Sequence, residues 1–264
     1  MNVTHLNNPA RQKLEAGQVV SCMSVKLVRS PEVARVAAAA GFDAIYVDME
    51  HGTFDAALAS QICLTAFDLG LTGLVRIPPG AHSLISQLTD SGAMGVIAPH
   101  IDSAEEAREI VAYAKFPPMG IRGSVNRLPQ LNYVDIPADL LHPAANREIM
   151  VIIMIESIAA LSAVENIAAV PGVDMLFVGV NDLSADMGIA GQYDHHEIQT
   201  ALDRIAHAAE AHGKFFGLGG LSTRQDLLAK YVKKGARFIS LGADLTMLLN
   251  SAKRCRASLS QLQS

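Results

Sequence analysis

The chain has 264 residues, half of them apolar, and its net charge of −5 comes from scattered acidic and basic side chains. That is enough to build one substantial core, and the length matches an α/β barrel of about 250 residues. No apolar run approaches the roughly 20 residues that cross a bilayer, no basic stripe is present, and Trp is absent, so neither a membrane nor a nucleic acid is an expected partner.

The start, Met-Asn-Val-Thr-His-Leu-Asn-Asn-Pro, lacks a basic segment followed by an apolar one. No signal peptide is expected, and the cytoplasm is the expected compartment. Cys22, Cys63 and Cys255 are odd in number and have neither CxxC nor finger spacing, so they read as reduced thiols. Short β-branched runs then alternate with segments of helical period. Strands are predicted at about 19–26, 44–50, 72–77, 95–100, 150–156, 174–180, 215–219 and 237–242. Eight strands close a barrel. Ser30-Pro31, Ser103-Ala-Glu-Glu106 and Ser222-Thr-Arg-Gln225 read as helix starts, the last two as capping boxes. Gly41, Gly70, Gly92, Gly213 and Gly235 sit where helices should stop.

Residues 117–147 break the rhythm with Pro117, Pro118, Gly120, Gly123, Pro129, Pro137 and Pro143. So long a connection reads as an active-site loop, an interface arm, or a surface excursion carrying a short helix at 137–142. The last segment, 245–264, reads as a helix that either closes on its own barrel or exchanges with a neighbouring subunit. The whole of 1–264 is expected to be one domain.

In a barrel, the residues at the carboxyl ends of the strands face the site. Strand two ends in Asp48, Glu50 and His51; strand three in Arg76; strand four in His100 and Asp102; strand five in Glu156; strand six in Val180, Asn181 and Asp182. Glu156 closes an otherwise apolar strand and therefore needs a cation, a proton or a metal. With Asp182 it could hold a hard divalent ion such as Mg²⁺ or Mn²⁺, although Asp182 could equally cap the following helix. Arg76 could bind a substrate carboxylate or developing oxyanion, or be a salt bridge to Glu50 or Glu156. His51 could act as a general base oriented by Asp48. Asp102 reads as an N-cap, and His100 as a weaker pocket residue. Lys26 is the one lysine at an inner strand end that could form a Schiff base, because Lys214 sits on the wrong face.

Gly41-Phe-Asp-Ala-Ile-Tyr-Val-Asp48-Met-Glu50-His51-Gly52, Val75-Arg76-Ile-Pro, Gly92-Ala-Met-Gly-Val-Ile-Ala-Pro99-His100, Pro117-Pro-Met-Gly-Ile-Arg122-Gly, Met154-Ile-Glu156 and Val178-Gly-Val-Asn-Asp182-Leu-Ser184 occur in that order. This series resembles the HpcH/HpaI aldolase/citrate lyase family of class II pyruvate aldolases, over about residues 18 to 250. The resemblance implies a (β/α)8 TIM barrel of the phosphoenolpyruvate/pyruvate-domain kind and a lyase that acts through a pyruvate enolate. It implies Glu156 and Asp182 as ligands of Mg²⁺ or Mn²⁺, with Co²⁺ as a further candidate, and Arg76 as the group that stabilises the enolate. It implies His51 with Asp48 as the acid/base dyad, the amides of Val180, Asn181 and Asp182 as the carboxylate site, and a hexamer built as a trimer of dimers.

Many family members have Gln where this chain has Met154, and Gly-Pro-Ala-Asp where it has Gly179-Val-Asn-Asp182. Here the chain is more similar to the macrophomate-synthase-like branch. Glu50, Met154 and His100 are then expected just behind the reacting groups. Retro-aldol cleavage of a 4-hydroxy-2-oxo acid to pyruvate and an aldehyde is the leading expectation. Oxaloacetate decarboxylation or enolate addition is the alternative, and a catalytically silent assembly barrel is the remote one.

Overall fold

Eight parallel strands pair in sequence order and close on themselves, β1 against β8. The computed structural model describes residues 6–261; residues 1–5 and 262–264, including the end of the predicted C-terminal helix, lie outside the described residues. The strands are β1 (Val20–Val25), β2 (Ala44–Asp48), β3 (Thr72–Arg76), β4 (Gly95–Ala98), β5 (Met150–Ile155), β6 (Met175–Gly179), β7 (Phe215–Gly219) and β8 (Ala236–Ala243). Between and around them run α1 (Pro9–Glu15), α2 (Glu32–Ala39), α3 (Ala56–Asp68), α4 (Leu84–Asp90), α5 (Ala104–Ala114) and α6 (Ala138–Glu148). They are followed by α7 (Ile158–Ser162), α8 (Val164–Ala168), α9 (Val180–Asp186), α10 (His196–Ala211), α11 (Gln225–Lys233) and α12 (Asp244–Gln261). The chain is a (β/α)8 TIM barrel.

Both faces of each strand are covered, which is why the strands read as continuous apolar runs. One alternate set, including Ile45, Val47, Val75, Val151, Ile153 and Val178, packs outward under the helices. The other set points inward, where Val20, Cys22, Ala44, Tyr46, Leu74, Ile97, Ile152, Met154, Phe177 and Phe238 fill the barrel. The period of two continues past this layer and changes polarity: the next inward residues are Ser24 and Lys26, Asp48, Arg76, Glu156, Gly179 and Ser240. The site is therefore built on the rims of the strands that make the core. β7 contributes glycines because Phe177 occupies the room: a Cβ on Gly219 would lie 2.8 Å from its Cζ. At the opposite end, Ala10 and Leu14 of α1 join the inner cluster. The Ala10 amide donates to Thr72 Oγ1 (2.9 Å) and Asn8 Nδ2 donates to the carbonyls of Met94 and Glu148 (3.2 and 2.8 Å), so α1 closes the amino-terminal mouth.

The five glycines expected to end helices all have positive φ, from 62° at Gly213 to 132° at Gly92. At α5 the cap is Ser103, whose Oγ accepts from the Glu106 amide (3.2 Å), while Glu106 reaches back to the Asp102 amide (2.7 Å). Asp102 is therefore not the cap; its carboxylate accepts from the Ser157 hydroxyl. The Ser222 box does not form either. α11 starts three residues later, Arg224 stands at its cap position without a side-chain bond, and Ser222 lines the cavity at the barrel mouth instead. Arg224 is held elsewhere, by Asp194 and Asp226.

Residues 117–147 are more ordered than their prolines predict. A short 3₁₀ turn covers Pro129–Leu131, and α6 runs to Glu148 rather than stopping at 142. The segment has its own small core of Leu128, Leu131, Leu141 and Ile149 against Phe116 and Met94. Arg122 is buried, with Nε 2.9 Å from Asp90 Oδ1 and its guanidinium 4.3 Å above the Phe116 ring. None of the segment's residues lines the cavity of its own chain. Its outer side exposes Ile121, Tyr133, Val134 and Leu140. Among the described residues no helix is long and apolar enough to cross a membrane.

Candidate active site

A cavity of about 320 Å³ opens at the carboxyl ends of the strands, near the small end of the range for small-molecule sites (roughly 300–1,000 Å³). Ser24, Lys26, Tyr46, His51, Arg76, Met154, Phe177, Val180, Asn181, Asp182 and Ser240 are among the residues that line it.

Arg76 ends β3 and is 5 % exposed. It forks onto Asp48, Nε to Oδ1 at 2.9 Å and NH2 to Oδ2 at 2.6 Å, and NH1 lies 3.0 Å from Glu50 Oε2. The partners follow from register, since Asp48 pairs directly with Arg76 across β2 and β3. Burial pulls the Arg76 pKa down, but the hydrogen bonds and charge of Asp48 outweigh it and hold the guanidinium above its ordinary value. Burial likewise pushes Asp48 up, and Arg76 outweighs it, so the carboxyl stays below the usual range. Such a cation is permanently charged and fixed in place, as electrostatic catalysis requires. The salt-bridge reading of Arg76 is also met, with Glu50 and Asp48 as its partners.

Asp48 does not orient the His51 ring. Its Oδ1 accepts from the backbone amides of Glu50 and His51 (both 3.2 Å), and both its oxygens are committed to Arg76. The reason is geometric: Asp48 points into the barrel from the strand, whereas His51 comes after the turn and is half exposed. The His51 ring faces Glu50 instead, Nε2 to Oε2 at 3.9 Å. Glu50 is thus more central than its place in the sequence implies, because its Oε1 also meets His100 Nε2 at 2.8 Å.

His100 stands at φ 53°, a left-handed conformation uncommon for a side chain of this size and often found at functional sites. That turn aims its backbone amide at Glu156 Oε1 (2.7 Å). Glu156 is 5 % exposed. Burial raises its pKa and the nearby charges of Glu50 and Asp182 add to the effect, with only the His100 amide and ring opposing them. Gly179 gives this carboxylate its space, since a Cβ there would lie 2.8 Å from Glu156 Oε2. Asp182 is exposed in the first turn of α9, on the cavity wall, and makes no capping bond there.

Four carboxylates, Asp48, Glu50, Glu156 and Asp182, therefore gather around two fixed cations, Arg76 and Lys26. The surplus negative charge and the underpartnered Glu156 fit a divalent cation held by hard oxygen donors. Among the described residues no group of three His, Cys, Asp or Glu side chains converges on one point. The protein would thus supply two carboxylates, leaving the remaining positions to water and substrate.

Sequence reasoning left out two features. Lys26 Nζ lies 3.1 Å from Asp48 Oδ2, and Ser24 Oγ is buried without a well-formed hydrogen bond among the described residues. The signal was present, because both continue the inward row of Val20 and Cys22.

Residues 26–251 match the model of the HpcH/HpaI aldolase/citrate lyase family. Among curated relatives, the 4-hydroxy-4-methyl-2-oxoglutarate aldolase tasA of Hapsidospora irregularis is 36 % identical over 97 % of this chain and 96 % of its own length. Among solved structures, an HpcH/HpaI aldolase from Desulfitobacterium hafniense DCB-2 superposes with TM-score 0.86 and 29 % identity, covering 94 % of this chain and 95 % of that one. Macrophomate synthase superposes with TM-score 0.79 and 26 % identity, covering 97 % and 93 %. With most of its length matching the family model and a relative above 30 % identity from end to end, the chain belongs to the HpcH/HpaI aldolase/citrate lyase family.

Proposed function

We propose that the protein is a divalent-metal-dependent carbon–carbon lyase that cleaves 4-hydroxy-2-oxo acids to pyruvate and an aldehyde. One observation carries the reading: a buried, permanently charged Arg76 and two metal-suited carboxylates, Glu156 and Asp182, share one barrel mouth with a histidine. Glu156 and Asp182 hold the ion, Mg²⁺ or Mn²⁺, with Co²⁺ as a further candidate. When bound, the ion supplies Lewis-acid polarisation of the 2-oxo group. The amides of Val180, Asn181 and Asp182 bind the substrate carboxylate. Arg76 faces the oxygen on which negative charge develops as the C3–C4 bond breaks and its electron pair passes to the enolate. His51 takes the proton of the 4-hydroxyl, directly or through water, so that C4 leaves as a carbonyl. Its half-exposed position beside Glu50 favours a proton carrier in contact with solvent. The three cysteines, all unpaired, are in keeping with a reducing cytoplasm.

Turnover of a 4-hydroxy-2-oxo acid with added Mg²⁺ or Mn²⁺, followed as pyruvate release, tests the reading; no cleavage of any such acid sinks it. His51→Ala is expected to slow cleavage by about 10²–10⁴-fold, the usual range for a lost general base. Oxaloacetate decarboxylation, which needs no hydroxyl proton acceptor, should fall far less. Equal losses would remove His51 from the proton path.

Surfaces the barrel leaves uncovered support a reading of the subunit arrangement. α12 exposes Leu245, Leu248 and Leu249, an i, i+3, i+4 stripe, and residues 117–147 expose Ile121, Tyr133 and Leu140. We assign both to contacts between copies of the chain, with α12 exchanged between partners in a trimer of dimers. Light scattering should give six times the mass of one chain, and a monomer would refute the assignment.

A further inference from the structure

Residues 187–195, between α9 and α10, do not line the cavity, yet they tie two parts of its wall together. On one side Ser184 of α9 holds the segment: its carbonyl accepts from the Ile189 amide (2.9 Å) and its Oγ from the Gly191 amide (3.2 Å). On the other side Asp194 accepts from both terminal nitrogens of Arg224 (2.7 and 2.8 Å), which fixes it to the β7–α11 loop that carries Gly220 and Ser222. Tyr193 sits between these tethers. Its carbonyl accepts from Gln199 Nε2 (2.7 Å), its ring packs against the main core, and its hydroxyl donates to Asn181 Oδ1 (2.6 Å).

Asn181 is exposed on the cavity wall, one residue before Asp182. Its amide lies flat over Gly220: a Cβ there would be 3.1 Å from Cγ, 3.1 Å from Oδ1 and 3.2 Å from Nδ2. With one face on Gly220, the amide is oriented by what its edges meet. A separation of 2.6 Å is that of an O–H···O bond and shorter than N–H···O bonds usually are, so the oxygen is the edge turned to Tyr193. Nδ2 has no hydrogen-bond partner among the described residues, which leaves the N–H donors on the edge turned away from Tyr193.

We propose that Tyr193 is a positioning residue, which holds the Asn181 amide so that Nδ2 donates to the carboxylate of the bound 2-oxo acid. The inference rests on the lyase reading of the same site, in which that carboxylate lies at Val180–Asp182 and so within reach of Asn181. A neutral donor suits the place. It holds an anion without pairing with Asp182, as a lysine or arginine would, and so leaves that carboxylate to its ion. Without the hydroxyl the amide is free to turn over and present Oδ1 to the anion.

The test is exchange of the pyruvate methyl protons in D₂O by the Mg²⁺-loaded enzyme, followed by NMR, which reads KM and kcat for pyruvate without an aldehyde. Asn181→Ala should raise KM by about 10–100-fold, the range for a hydrogen bond to a charged group, and Tyr193→Phe by about 3–10-fold, with most of each loss in KM. The double variant should be no worse than Asn181→Ala, because Tyr193 acts through that amide alone. Three results overturn the proposal and leave Tyr193 as a brace of its segment: a Tyr193→Phe that lowers only the melting temperature, one that loses kcat with KM unchanged, or single losses that multiply in the double variant. No exchange by wild type sinks the lyase reading and this proposal with it, whereas exchange by wild type with an unchanged KM in Tyr193→Phe sinks only the role of Tyr193.

Discussion

Arg76→Met is expected to lower kcat for cleavage by about 10²–10³-fold, the loss typical when a preorganised donor to a developing oxyanion is removed. Arg76→Lys separates charge from shape. Lysine restores a cation but not the two-pronged fit to Asp48, so it should recover only a small part of the rate. If Arg76→Lys keeps more than roughly a tenth of the wild-type kcat, the arginine is a counter-ion and not the enolate-stabilising group. The Met variant also takes the guanidinium away from two buried carboxylates, Asp48 and Glu50. Breaking a buried pair costs about 3–5 kcal/mol, and Lys26, still 3.1 Å from Asp48, should keep the loss near the lower figure. The sign with pH follows from Asp48, whose carboxyl is held below its ordinary value in the fold. The pair therefore contributes fully above the unfolded carboxyl pKa, and its contribution is lost as pH falls through the lowered folded value. The gap in melting temperature between wild type and Arg76→Met should narrow toward acid pH.

Glu156→Gln is expected to abolish metal-dependent turnover, by about 10²–10³-fold or more, while making the metal-free protein more stable. The two effects have one cause. The fold raises the Glu156 pKa through burial and the charges of Glu50 and Asp182, so its ionised form costs stability at neutral pH unless a cation is present. Glutamine has the same shape and still accepts from the His100 amide, which lies 2.7 Å from Oε1. Chelator-treated Glu156→Gln should therefore melt a few degrees above chelator-treated wild type, since about 1 kcal/mol moves the midpoint by roughly 2–4 °C for chains near this size. Mg²⁺ or Mn²⁺ should raise the wild-type midpoint and restore its activity, and do neither in the variant. A variant that melts lower than metal-free wild type would mean that the carboxylate is satisfied without an ion.

The fold was legible because parallel strands covered on both faces leave continuous apolar runs, and positive-φ glycines end five of the helices between them. The same alternation of side chains lifts Asp48, Arg76 and Glu156 out of a list of charged residues, since each prolongs an inward apolar row. Contacts across the barrel were less legible. Which of several carboxylates takes Arg76 depends on strand register: of Glu50 or Glu156, the partners the sequence suggests, Glu50 is met, while Asp48 holds the fork. His100 looked peripheral because nothing in Pro99-His100-Ile101 announces a positive φ, yet that turn is what carries its amide to Glu156. Ser222 failed as a cap because the capping pattern reports on local spacing alone, and the helix starts later. At the end of an inward row Lys26 reads from the sequence as a Schiff-base former, a role that its ion pair with a buried carboxylate does not favour.

The stopper that α1 makes at the amino-terminal mouth, with Ala10 and Leu14 seated among the inner side chains, bears on traffic through the enzyme. With the interior packed and α1 seated beneath it, the cavity has a single doorway, so both cleavage products leave by the route the substrate entered. Under the proposed function, the fragment held against Glu156 and Asp182 must wait for the one bound toward His51 to clear the opening. Ordered release, aldehyde first and pyruvate last, is the expected result of product-inhibition kinetics. Pyruvate, meeting the empty enzyme, competes with substrate for entry, whereas the aldehyde inhibits only by adding to the pyruvate-bound form.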